Sequence, residues 1–184
     1  IKNTATYLIP AGATTIVTTA LTLTNGKLTN NGTLTASAAS FSNTAAGSVL
    51  TNNGTMSLPP TTTLTNLTFN QNGTITNGST ITIILGTGAL WEILNPDPAI
   101  ALTPANTLTI QSGGTLRAKA NTPPQGLNLS IPGNLTIDAG GTLHANATGY
   151  AGGGLDTNGS GPGASTGVDN PCTGRGGPGG SYGG

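Results

Sequence analysis

The chain has 184 residues, long enough for one domain with a sizeable core. Only 5% are charged, against about 25% in ordinary globular proteins, and five Lys+Arg balance five Asp+Glu. This neutrality excludes nucleic-acid binding through a basic face, which needs many phosphate contacts. It leaves Thr, Asn and Ser to form the polar surface. No stretch reaches the roughly 18 apolar residues of a transmembrane helix, so no transmembrane segment is expected. No secretory signal opens the chain at Ile1-Lys2-Asn3, and it reads as a mature or excised segment.

The first elements are Tyr7-Leu8-Ile9 and Thr14-Thr15-Ile16-Val17, joined by a tight turn at Pro10-Ala11-Gly12-Ala13. Leu21-Thr22-Leu23-Thr24 then alternates at period two, placing both leucines on one face of an expected strand. Next comes Leu28-Thr29-Asn30-Asn31-Gly32-Thr33-Leu34-Thr35. It returns as Leu50-Thr51-Asn52-Asn53-Gly54-Thr55-Met56-Ser57, and again, altered, as Phe69-Asn70-Gln71-Asn72-Gly73-Thr74-Ile75-Thr76. Asn and Gly tolerate positive φ, so each copy reads as strand, turn, strand. Gly12, Gly32, Gly54 and Gly73 lie 20, 22 and 19 residues apart. That spacing suits one coil of a three-sided parallel β-helix, with the three later glycines stacked in a column. Ser112-Gly113-Gly114 and Ala139-Gly140-Gly141 read as equivalent turns. Short alternating segments recur around Leu64, Ile83, Leu108, Ile110, Leu135 and Ile137, and none shows a 3.6-residue period.

Two segments interrupt this regularity. Leu94-Asn95-Pro96-Asp97-Pro98 is expected to bulge outward, because proline cannot donate within a ladder. Asn121 to Gly126 reads as a loop inserted at a corner. Beyond residue 148 the composition changes: residues 149–184 hold 15 of the 30 glycines. Such a segment buries no conventional core, and is either a linker or a set of extended polyglycine-type strands. The predicted organisation is therefore a β-solenoid over 1–148 and a Gly-rich segment over 149–184. The competing fold is an antiparallel β-sandwich, in which Asn-Asn-Gly is a true hairpin turn.

The chemistry-bearing residues are few. Glu92, Asp97, Asp138, Asp156 and Asp169 form no close sequence pair, whereas a glycosidase needs two facing carboxylates. Arg117 and Lys119 alternate onto one strand face, the solvated one. His144 follows Leu143 and faces outward. One His and one Cys make no zinc site alone, and no metal or cofactor is expected. Gly152-Gly153-Gly154-Leu155-Asp156 resembles a calcium nonapeptide, but occurs once with the wrong spacing. Trp91 reads as a hydrophobic plug or, alternatively, a sugar-stacking platform. Cys172 is a free thiol or the partner of an intermolecular disulfide.

Nine Asn-x-Ser/Thr sequons begin at Asn31, Asn53, Asn66, Asn72, Asn77, Asn128, Asn134, Asn146 and Asn158. They are candidate glycosylation sites, with Asn31, Asn53 and Asn72 expected together on one exposed edge. Thr-x-Thr pairs such as Thr22/Thr24, Thr63/Thr65, Thr74/Thr76 and Thr80/Thr82 would bind ice only if their ranks aligned. Unequal coil lengths argue against alignment.

Gly133-Asn134-Leu135-Thr136-Ile137-Asp138-Ala139-Gly140-Gly141-Thr142-Leu143 resembles the coil motif of secreted right-handed β-helix proteins of prokaryotic cell surfaces. Ile9-Pro10-Ala11-Gly12-Ala13-Thr14-Thr15-Ile16 is similar to it. This group includes adhesin and autotransporter-passenger-like chains of the pectin-lyase-like superfamily, and Gly-rich inserts like 149–184 occur in such proteins. The resemblance implies an all-β right-handed solenoid and a non-enzymatic extracellular role as a filament subunit or adhesin stalk. The implied partners are copies of itself and surface glycans. No lyase residue of that superfamily has a matching position here. A carbohydrate-binding or carbohydrate-cleaving β-helix is the alternative, and an ice-binding solenoid a minor one.

Overall fold

The computed structural model describes residues 5–18, 21–36, 41–42, 47–76, 82–93, 100–101, 107–119, 127 and 129–146. Among these residues there are eighteen strands, numbered in chain order, and they pair only in parallel. The fold is a parallel β-solenoid. An antiparallel sandwich is excluded, because no Asn-Asn-Gly joins strands that pair with each other.

The longest sheet has seven strands, β1 (Thr6–Ile9), β3 (Lys27–Asn30), β6 (Ser48–Asn52), β9 (Leu67–Gln71), β12 (Leu90–Ile93), β15 (Thr115–Ala118) and β18 (Thr142–His144). Its register runs Thr6, Lys27, Val49, Thr68, Leu90, Thr115, Thr142, giving steps of 21, 22, 19, 22, 25 and 27 residues. A four-stranded second sheet stacks β2 (Thr14–Val17), β4 (Thr33–Ala36), β7 (Thr55–Ser57) and β10 (Thr74–Thr76). The third contains β5 (Phe41–Ser42), β8 (Thr61–Thr65), β11 (Thr82–Leu85), β14 (Thr107–Ile110) and β17 (Leu135–Ile137). A short pair, β13 (Ile100–Ala101) with β16 (Leu129–Ser130), completes the set.

Period-two alternation sends one residue in two into the core. On the long sheet the inward column is Tyr7, Leu28, Leu50, Phe69, Trp91, Leu116 and Leu143. Trp91 is wholly buried and its ring stacks on Phe69, with centroids 5.5 Å apart. It therefore offers no face to a sugar, and the stacking-platform reading is corrected to a core side chain. Leu23 is buried and Leu21 partly so, as the alternation requires, but residues 21–23 form no strand. Leu135 and Ile137 pair with Leu108 and Ile110 yet remain 42% and 45% exposed, because β17 ends its sheet.

Two different corners support the stack. At the first, Gly32, Gly54 and Gly73 do lie in one column. A Cβ on Gly54 would sit 2.1 Å from the carbonyl oxygen of Gly32, and one on Gly73 2.0 Å from that of Gly54. Only glycine lets the coils close at that height. The second corner precedes each strand of the long sheet. There Asn25, Gly47, Asn66, Gly88, Gly113 and Gly140 all have positive φ, each two residues before its register mate. Gly113-Gly114 and Gly140-Gly141 belong to this second corner, not to the Asn-Asn-Gly column. Gly12 is also displaced: Thr14 pairs with Thr33, which sets Gly12 against Asn31 rather than Gly32. A Gly-to-Gly count cannot tell one corner of a coil from another.

The first Asn of each Asn-Asn pair is a core residue. Asn30, Asn52 and Gln71 occupy one inward column, each fully buried, flanked in register by Ile9 and Ile93. Asn30 Nδ2 donates to Asn52 Oδ1 at 2.7 Å, and Asn52 Nδ2 donates to Gln71 Oε1 at 3.3 Å. The same amides also cap corner carbonyls: Asn30 donates to Thr55 O, Asn52 to Thr74 O and Gln71 to Gly73 O. Buried amides are tolerated because they are hydrogen-bonded, and here they tie each coil to the next.

Candidate binding pocket on the outer face

Outward positions of the long sheet form a second kind of column. One runs Leu8, Thr29, Thr51, Asn70, Glu92, Arg117 and His144. It is uncharged for four rungs and carries ionisable groups in the last three. β12 contributes Glu92, β15 contributes Arg117 and Lys119 just beyond its end, and β18 contributes His144, with Asn146 two residues on. Together with Ala118 they line a pocket of about 430 Å³.

The pocket is built around an ion pair. Arg117 Nε donates to Glu92 Oε1 at 2.8 Å, and Nη2 donates to the same oxygen. Glu92 is 7% exposed, while the Arg117 side chain is 41% exposed. The carboxylate thus acts as a sunken anchor that orients a guanidinium toward solvent. The pair contributes little to stability on its own, since one partner is largely hydrated. Lys119 uses its backbone N–H on Ile93 O, leaving its side chain to the surface, with no ion pair to any described residue. Asn146 N donates to His144 Nδ1 across a long 3.4 Å, which leaves Nε2 as the free ring nitrogen.

The structure places the other sequence-predicted residues as follows. Asn31, Asn53 and Asn72 are exposed along one edge, and Asn53 Nδ2 donates to Asn31 Oδ1 at 2.9 Å. Asn134 and Asn146 are exposed as well, whereas Asn66 is half-buried at the second corner. Asp138 is exposed, at the second corner. Asn77, Asn128, Asn158, Cys172, Asp97, Asp156, Asp169 and the Gly-rich segment 149–184 lie outside the described residues. No group of three or more His, Cys, Asp or Glu side chains is arranged for a metal among the described residues. No described helix is long and apolar enough to cross a membrane.

The pocket offers one carboxylate already tied to a guanidinium. That differs from the two facing carboxylates of a glycosidase. Sequence reading found each of Glu92, Arg117, Lys119 and His144 but did not bring them together. The missed signal is the coil length: Arg117 is one coil beyond Glu92, and His144 one beyond Arg117.

A scan of family models, a search of curated proteins and a search of solved structures each returned no match to this chain.

Proposed function

We propose that this chain is a non-enzymatic structural rod, an extracellular subunit of a surface filament or adhesin stalk, which associates with copies of itself through strand pairing. One observation carries this reading: among the described residues, the terminal rungs carry apolar side chains at strands without an outer partner. β1 and β2 each end their sheets, with Tyr7 47%, Leu8 53% and Ile16 64% exposed. Beside them an apolar recess of about 210 Å³ is lined by Tyr7, Ile9, Thr15, Val17, Leu21, Leu28 and Leu34. At the opposite end Leu135 and Ile137 are similarly exposed on β17. An open strand edge is a template for another chain. Because the two ends differ, copies would stack head to tail, and stacking along the solenoid axis would extend into a fibre rather than close a ring. The adhesin or pectin-lyase-like identity suggested by the coil motif remains part of this proposal.

Sedimentation velocity over a hundredfold concentration range, with negative-stain microscopy, tests it. Concentration-dependent rods are expected, and Leu8→Lys with Ile16→Lys should abolish them while leaving the circular dichroism spectrum intact. A monodisperse monomer throughout, or rods unaffected by both lysines, would sink the proposal.

A second reading is favoured by one specific observation. Contrary to the expectation from unequal coil lengths, outward threonines on the second sheet do align. Thr14, Thr33, Thr55 and Thr74 form one rank, and Ile16, Thr35, Ser57 and Thr76 the other. The length variation is absorbed away from this sheet. An ice-binding role predicts thermal hysteresis that Thr35→Tyr removes. Absence of hysteresis and of ice-recrystallisation inhibition would discard it.

A further inference from the structure

We infer that the pocket formed by Glu92, Arg117, Lys119, His144 and Asn146 binds the carboxylate of a small, hydroxylated monoanion. Three observations lead there.

The first is concentration of charge. The described residues include Lys27, Glu92, Arg117, Lys119, Asp138 and His144 as their Lys, Arg, Asp, Glu and His positions, and four of these six line this one pocket. Elsewhere the described outer faces carry mainly Thr and Asn, so a hydrated surface there does not depend on charge. Among the described residues, charge gathered in one place points to recognition rather than solvation.

The second is the preorganised donor set. Glu92 holds the guanidinium by Nε and Nη2, which leaves Nη1 and its outer edge unused. Lys119 follows Arg117 by two residues, just past the end of β15, where its N–H on Ile93 O continues the pairing and keeps both side chains on the same face. A carboxylate set between them would gain a planar guanidinium edge and a point ammonium charge. With Nδ1 accepting from Asn146 N, the His144 Nε2 is free to donate.

The third is the balance of formal charge. Arg117 and Lys119 carry two positive formal charges against the one negative charge of Glu92, leaving one net positive charge. That matches a monoanion. A phosphate-like dianion would leave negative charge uncompensated beside Glu92. The free oxygen of Glu92 and the amide of Asn146 suit ligand hydroxyls. At about 430 Å³ the pocket falls within the size range of small-ligand sites.

Isothermal titration of the full chain with glucuronate, glucose, acetate and sulfate tests this. Glucuronate and glucose differ at one carbon, carboxylate against hydroxymethyl, so the pair isolates the charged group. Glucuronate should bind and glucose should not. Acetate should bind more weakly than glucuronate; acetate binding as tightly would overturn the hydroxylated ligand, because the hydroxyls would then contribute nothing. Lys119→Gln and Arg117→Lys should each weaken glucuronate about tenfold or more, the scale of one charge-assisted hydrogen bond. Binding should weaken further as salt is raised. Lys119 is exposed, so its variant keeps the fold, and unchanged circular dichroism checks both. The inference is overturned if no carboxylate binds at millimolar concentration, if glucose binds equally, if sulfate binds tighter than both carboxylates, or if Lys119→Gln binds glucuronate unchanged. None of these results bears on filament formation, which rests on the ends of the rod.

Discussion

Replacing Asn52 by leucine isolates what the buried amide ladder does. Leucine is close to asparagine in volume, so little cavity is created and the change is chiefly one of polarity. The Asn52 side chain makes three hydrogen bonds: it accepts from Asn30 Nδ2 at 2.7 Å and donates to Gln71 Oε1 at 3.3 Å and Thr74 O at 3.2 Å. Each is worth about 1 kcal/mol net, and the buried acceptors left behind add their desolvation. Burying leucine offsets part of this by roughly 1.5–3 kcal/mol. The expected net loss is about 1–3 kcal/mol. Asn30→Leu should cost less, because Asn30 Oδ1 already lacks a partner and only two donations are lost. Asn53→Ala, next in sequence but exposed, should change stability by no more than about 0.5 kcal/mol. Urea denaturation monitored by circular dichroism gives all three from midpoints at constant slope. The triple variant Asn30→Leu, Asn52→Leu, Gln71→Leu should lose less than the sum of its singles, since no amide is then orphaned. If Asn53→Ala costs as much as Asn52→Leu, or Asn30→Leu costs more, the ladder is not what stabilises these coils.

Other positions carry sharp expectations for the same measurement. Gly54→Ala should destabilise by roughly 2–4 kcal/mol, through overpacking and loss of the Thr55 N to Gly32 O bond, although its φ is not left-handed; a near-neutral result would mean the coils can spread at that corner. Gly113, at φ +77°, should accept asparagine with about 1 kcal/mol or less, because Asn25 and Asn66 hold the same column, whereas valine should cost clearly more. Equal melting temperatures for the two variants would contradict this. Trp91→Phe should cost below about 1.5 kcal/mol, since the indole N–H has no partner to lose, against about 3–5 kcal/mol for Trp91→Ala. An alanine variant as stable as the parent would deny Trp91 its place in the core.

Much of the architecture was legible in the chain itself. Thr-rich alternation and recurring Asn-Gly determine strands, turns and a repeat of about one coil, because period-two burial and positive-φ tolerance are local properties. The same logic placed Gly32, Gly54 and Gly73 in a column and Asn31, Asn53 and Asn72 on an exposed edge. Parity even held the clue to the ladder: with Leu28 inward, Asn30 two residues on must point inward too. What parity cannot say is whether a buried amide finds a partner, and only the register of Asn30 on Asn52 on Gln71 decides that. Two distinct corners look alike in sequence because both need glycine, one for lack of a side chain and the other for positive φ. The pocket was the least legible part. Glu92, Arg117 and His144 are separated by whole coils, and their meeting depends on parallel pairing that absorbs unequal loops. Local chemistry thus set which residues turn and which alternate, while inter-coil hydrogen bonding alone chose which residues face one another.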